Sequence, residues 1–135
     1  FKGGGRAMSD WNPETTPNFT REEMACNCGF CGNSCEMRQD FMEKLQTMRD
    51  MLGQPVTMNS GYRCARHPNE RHKPEPGSHT QGQAGDLKVE SASIGFELLD
   101  AAIKVGMVGI GVANGFLHVD SGHDTKQRPA LWGGY

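Results

Sequence analysis

Between Glu36 and Leu52 apolar side chains return every three or four positions, at Met37, Phe41, Leu45, Met48 and Leu52, with polar residues filling the intervals. This period predicts a helix from about Glu36 to Leu52 that buries one face, and Gly53 ends it. The stripe reads as core packing, with Met37, Met42, Met48 and Met51 as pliable filling and not metal ligands. From Pro55 to Tyr62 the pattern alternates instead, placing Val56 and Met58 on one face of a strand. Gly61 then bends the chain so that Tyr62 and Arg63 are presented beyond it. A second helix is predicted over roughly Ser93 to Val105, capped by Ser91 or Ser93. Ile94, Leu98, Ala101 and Ala102 face inward, and Gly106 is its stop.

Three further strands follow from the same reading: Ala84 to Val89, Met107 to Val112 and Phe116 to Asp120. Asn114-Gly115 between the last two is a strong hairpin signal. The hairpin brings His118 beside the strand that carries Asp86. The predicted fold class is therefore α+β, a small, mainly antiparallel sheet with flanking helices. Residues 1–18, with Asn12-Pro13 and Thr16-Pro17, read as an irregular N-terminal arm or linker, and residues 19–135 as a single domain. Between Arg63 and Gly77 lies a polar loop with three prolines and the cations Arg66, Arg71 and Lys73, a surface excursion of the kind that borders a cleft.

Composition narrows the function classes. A chain of 135 residues can bury one core without obligatory staples. A formal net charge of -2 argues against a nucleic-acid binder whose affinity rests on neutralising phosphates. No apolar run is long enough to span a membrane. Phe1-Lys2-Gly3-Gly4-Gly5-Arg6 lacks the apolar core of a signal peptide and reads as a linker.

The most informative stretch is Ser78-His79-Thr80-Gln81-Gly82-Gln83-Ala84-Gly85-Asp86, followed by Phe116-Leu117-His118-Val119-Asp120. A hydrolytic zinc ion needs about three nitrogen or oxygen ligands and an open fourth position, and His79, Asp86 and His118 supply such a set. Gly82 permits a tight turn after His79, and the strand from Ala84 returns Asp86 to the same point. Alternate residues of a strand share a face, so His118 and Asp120 both turn toward the ion. One can ligate while the other acts on water.

With Asn59-Ser60-Gly61-Tyr62-Arg63-Cys64 ahead of it, this pair of motifs resembles the M15 peptidases, the zinc D-Ala-D-Ala carboxypeptidase and L,D-endopeptidase group that cuts peptidoglycan peptides. The likeness runs from about Phe19 to Trp132, and many members are encoded by bacteriophages. It implies a Hedgehog/DD-peptidase-like fold, one catalytic zinc, peptidoglycan stem peptides as partner and substrate, and action at the bacterial cell wall. It also implies a monomer or a part of a larger phage or wall assembly. Arg63 matches the arginine the family places beside substrate, where its fork holds a carboxylate or an oxyanion. Tyr62, Ser78 and Gln81 fall next to it as substrate-side residues, with packing as the alternative for Tyr62 and hydrogen bonding within the metal loop for Ser78 and Gln81. Several branches carry a carboxylate three residues before the last histidine ligand, but that position is Gly115 here. Asp120 is then the candidate general base, and its alternative role is a hydrogen bond to a ligand histidine or to Arg63. Arg128 and Trp132 resemble the family's closing segment, with the indole buried. His67, His72 and His123 have no spacing that recruits them to zinc and read as solvent-facing, His123 nearest the cleft rim.

Cys26, Cys28, Cys31 and Cys35 fall within ten residues, and Cys64 follows Arg63. A structural zinc in this Cys-rich loop (residues 26–35), disulfides within it or to Cys64, and free thiols all remain open from the spacing. The family resemblance favours a link between the loop and Cys64. Two functional classes result. One is a zinc peptidase of the cell wall, such as a phage endolysin. The other is a non-catalytic zinc module for binding or virion structure, since the Hedgehog signalling domain, similar in fold, keeps such a site without known need for hydrolysis. A nucleic-acid knuckle lacks the basic and aromatic surroundings it would need.

Overall fold

The computed structural model describes residues 9–133, and the glycine-rich leader lies outside them. Its elements are a 3-10 turn at Pro13–Thr15, then α1 (Arg21–Met24), α2 (Gln39–Leu52), β1 (Met58–Ser60), β2 (Ala84–Lys88), α3 (Ala92–Val105), β3 (Gly109–Val112), β4 (Phe116–Asp120) and β5 (Ala130–Trp132). The strands form one sheet in the order β1-β2-β4-β3-β5. All neighbours are antiparallel except β3 and β5. The fold is α+β, as the periodicities imply.

Local chemistry accounts for most element ends. Ser91 caps α3 by accepting from the Ile94 N–H, and Gly53 and Gly106 close α2 and α3 in the left-handed conformation. In α1 the pair Thr20 and Glu23 forms a reciprocal capping box. The Asn114-Gly115 hairpin forms between β3 and β4, and on the other side of β4 the β2–β4 register sets Asp86 directly opposite His118.

The core lies between the sheet and the two long helices. Phe41, Met42, Leu45 and Met48 of α2 are fully buried with Met24, Met37, Leu87 and Val119. Leu98, Ala101 and Ala102 of α3 join this cluster, while Ile94 is half-buried at its edge. Methionine fills the irregular space between a short sheet and two helices because its unbranched chain adapts to the gap. Met51 does not share that role, being about half exposed on the outer side of α2.

Several boundaries differ from the sequence expectation, each through a long-range contact. The helix begins at Gln39 and not Glu36: Arg38 is extended, and its N–H donates to Gly82 O at 2.9 Å in the loop ahead of β2. The first strand shrinks to Met58–Ser60, and Tyr62 N–H turns away to Met24 O at 2.8 Å. Residues 9–18, which include the 3-10 turn, are docked on α2: the Asn12 N–H donates to Gln39 Oε1, and the Gln39 N–H to Asp10 Oδ1. The parallel strand β5 was not foreseen, since three residues give no periodicity to read.

Candidate active site

Turns build the loop ahead of β2 so that His79 faces back toward the sheet. Gln81 N–H donates to Gly77 O, Gly82 N–H to His79 O and Gln83 N–H to Ser78 O. Gly82 has φ +74, and a Cβ there would meet Glu36 O at 2.1 Å, so both its conformation and its contact require glycine. His79 Nδ1 lies 2.8 Å from Gly61 O, and since a carbonyl only accepts, that nitrogen carries the ring proton. The bare Nε2 is buried without a hydrogen-bond partner and faces Asp86 Oδ1 at 3.2 Å.

On β4, His118 is oriented from behind in the same way. Its Nε2 lies 2.8 Å from Asp120 Oδ2 and donates there, so that in the neutral ring Nδ1 presents a lone pair 3.2 Å from Asp86 Oδ1. The His79, Asp86 and His118 ligand atoms all lie within 4.8 Å of one another, and all three residues are buried. Lone pairs converging at this range repel unless a cation sits among them. The electrostatics carry the same demand. Burial opposes ionisation of Asp86, yet the imidazoles of His118 and His79 beside it hold its carboxyl well below the usual range. Burial likewise opposes charge on His118, but Asp120 and Asp86 outweigh it and draw the pKa upward. Two nitrogens, one oxygen and an open side are a donor set suited to zinc.

The three groups open into a cleft of about 550 Å³. Arg63, Lys73, Lys126 and Arg128 line it, with Ser78, His123 and Trp132. Among the described residues lining the cleft, Asp86 is the one carboxylate. Arg63 does not stand free for a ligand. Its Nε pairs with buried Glu70 at 3.0 Å, and its Nη1 lies 3.8 Å from Asp86 Oδ2, the oxygen turned away from the histidines. Trp132 is half-buried, not enclosed, with its ring centroid 5.2 Å from that of His118 and the Arg128 guanidinium 5.0 Å above it.

The structure thus brings His79, Asp86, His118, Arg63 and Ser78 to one cleft and sets other candidates apart. Asp120 is fully buried beneath His118, and both of its oxygens are engaged, Oδ1 by Arg128 Nε at 3.0 Å and Oδ2 by Arg128 Nη2 at 2.9 Å as well as by His118. Tyr62 is packed in the core, with its hydroxyl directed to Glu36. Gln81 braces the loop, donating to Pro76 O and accepting from the Asp124 N–H. His72 is exposed, as expected, and His67 is half-buried, its Nδ1 accepting from the Asn69 N–H.

Two residues carry more of the site than the sequence signalled. Glu70 is buried within the polar loop, where it pairs with Arg63 and Lys73. His123 is half-buried and not a solvent-facing side chain; its Nδ1 accepts from the Thr125 and Lys126 N–H groups at 3.1 Å. The ring proton is therefore on Nε2, which is buried without a hydrogen-bond partner beside the cleft. Burial, then the neighbouring Arg128 and Lys126, lower the His123 pKa and keep the ring neutral.

The family model for Peptidase M15 matches residues 17–120, a span that runs from the arm through both ligand-bearing strands. The chain belongs to the Peptidase M15 family. The His79, Asp86 and His118 triad fits the zinc site of M15 peptidases, which are hydrolases. No curated protein matches this M15 chain at a significant level. Among the described residues, no helix is long and apolar enough to cross a membrane.

Proposed function

We propose that this M15 protein is a zinc metallopeptidase that hydrolyses peptide bonds in peptidoglycan stem peptides at the bacterial cell wall. The observation that carries the reading is the meeting of His79 Nε2, His118 Nδ1 and Asp86 Oδ1, each with its other polar atoms already occupied or turned away. Zinc held there supplies Lewis acidity, which activates water and polarises a carbonyl toward hydrolysis. The chain's own residues do the rest. Asp120 fixes the tautomer and direction of His118 and acts through it, as a positioning residue and not as the base. Arg63 holds the outer oxygen of Asp86. His123 lines the cleft wall beside the triad as a neutral ring, its Nδ1 held by the Thr125 and Lys126 N–H groups. The cationic rim of Lys73, Lys126 and Arg128 suits peptides that end in carboxylates, as stem peptides do.

One observation favours a second reading. Gly115 stands where several M15 branches carry a carboxylate, and Asp120 has no open oxygen, so a non-catalytic zinc module that binds wall peptides or serves virion structure keeps the same geometry. Incubation with purified muropeptides separates the two. The peptidase reading expects cleavage that stops with a chelator, returns with zinc and is lost in His79→Ala, and product masses identify the bond cut. Zinc bound at full occupancy with no cleavage of any muropeptide would favour the second reading.

A further inference from the structure

Four thiols from two distant stretches meet on the far side of Arg63. The sulfurs of Cys26, Cys28, Cys31 and Cys64 all lie within 4.8 Å of one another. Cys28 Sγ is 3.6 Å from Cys31 Sγ and 3.4 Å from Cys64 Sγ. A disulfide would place sulfurs about 2.05 Å apart. Zinc in a tetrahedron with Zn–S bonds of about 2.3 Å separates them by about 3.8 Å. The observed spacings lie near the second value and far from the first.

The backbone is arranged for thiolates. Phe30 N–H points to Cys28 Sγ at 3.3 Å, Ser34 N–H to Cys31 Sγ at 3.4 Å and Cys64 N–H to Cys26 Sγ at 3.3 Å. The loop reverses through Gly29, Gly32 and Asn33, all at positive φ, and closes with Cys26 N–H on Ser34 O at 2.7 Å. Its one large apolar side chain, Phe30, points mostly into solvent, so the loop has little core of its own to hold this shape. Thiols this close cannot all ionise unless a cation shares their charge.

We propose that Cys26, Cys28, Cys31 and Cys64 bind a structural zinc ion, distinct from the His79, Asp86 and His118 centre, that clamps the N-terminal loop to the segment carrying Arg63. Zinc enters as the thiols release their protons to solvent, and no redox step is involved. Cys35, the fourth cysteine of the sequence cluster, is outside the set. It is buried on its own, and burial holds its thiol protonated. Because Cys64 directly follows Arg63, the clamp fixes the backbone from which Arg63 reaches Asp86 and Glu70.

The test is metal content and cobalt spectroscopy of the full chain, purified under reducing conditions. Native mass spectrometry is expected to find two zinc ions per chain, one for each ligand group. Cys64→Ser loses one equivalent, His118→Ala loses the other, and Cys35→Ser keeps both. Cobalt(II) in the wild-type chain gives intense near-ultraviolet thiolate-to-metal charge transfer, a readout that needs no variant to fold. One metal per chain with thiolate bands upholds the clamp and removes the catalytic centre. One metal without those bands, or disulfides among these four cysteines in metal-loaded protein, overturns the clamp and leaves the catalytic centre standing.

Discussion

Asp120 holds His118 from beneath: its Oδ2 takes the Nε2 proton at 2.8 Å, so the opposite nitrogen of the ring is aimed at Asp86. Arg128 grips both oxygens of the same carboxylate, and burial of Asp120 is opposed by these two partners, which keep it ionised. Asp120→Asn preserves the shape but removes the charge. Metal affinity is expected to fall about 10- to 100-fold, the usual cost of losing such a support, as measured by competition with a chromophoric chelator. An unchanged affinity with abolished hydrolysis would instead make Asp120 the base.

Space for that carboxylate comes from Gly109 on the neighbouring strand. A Cβ at Gly109 would lie 2.1 to 2.3 Å from the Asp120 carboxyl atoms. Gly109→Ala is expected to cost about 1–3 kcal/mol in urea unfolding of the metal-free protein, the range for overpacking a core. It should weaken metal binding as well. A variant with wild-type stability and affinity would show that the cradle can relax.

His123 gives a pH-dependent readout. Its folded pKa lies below the ordinary 6.5, through burial and then Arg128 and Lys126. The unfolded chain therefore takes up the proton first as pH falls. His123 costs the folded state nothing well above pH 6.5, and the cost grows as pH drops below that value toward the folded pKa. An NMR titration of the His123 ring should give a midpoint below 6.5, and His123→Gln should lessen the loss of stability in that window. A midpoint above 6.5 would contradict the neutral ring.

The two ligand-bearing strands were legible because their signals are local. Alternation marks β2 and β4, Asn114-Gly115 sets the hairpin, and a period of two puts Asp120 on the face of His118, while the meeting of His118 with Asp86 comes from the long-range β2–β4 pairing. The face was right, but its depth was not readable, since only the absent side chain of Gly109 lets Asp120 sink beneath the imidazole. Glu70 gave no sign because its value comes from Arg63 and Lys73 across a loop without period. The choice of Cys64 over Cys35 is likewise a fact of tertiary folding. Helix α2 starts three residues later than its period implies for a related reason: Arg38, whose N–H donates to the distant Gly82 carbonyl, is held extended.

The most direct measurement is an anomalous difference map, at the zinc edge, from crystals of zinc-loaded protein. The expected result is a peak about 2.0–2.2 Å from His79 Nε2, His118 Nδ1 and Asp86 Oδ1, with a coordination position open to the cleft. Density absent from that point in protein that retains zinc elsewhere would contradict the catalytic centre.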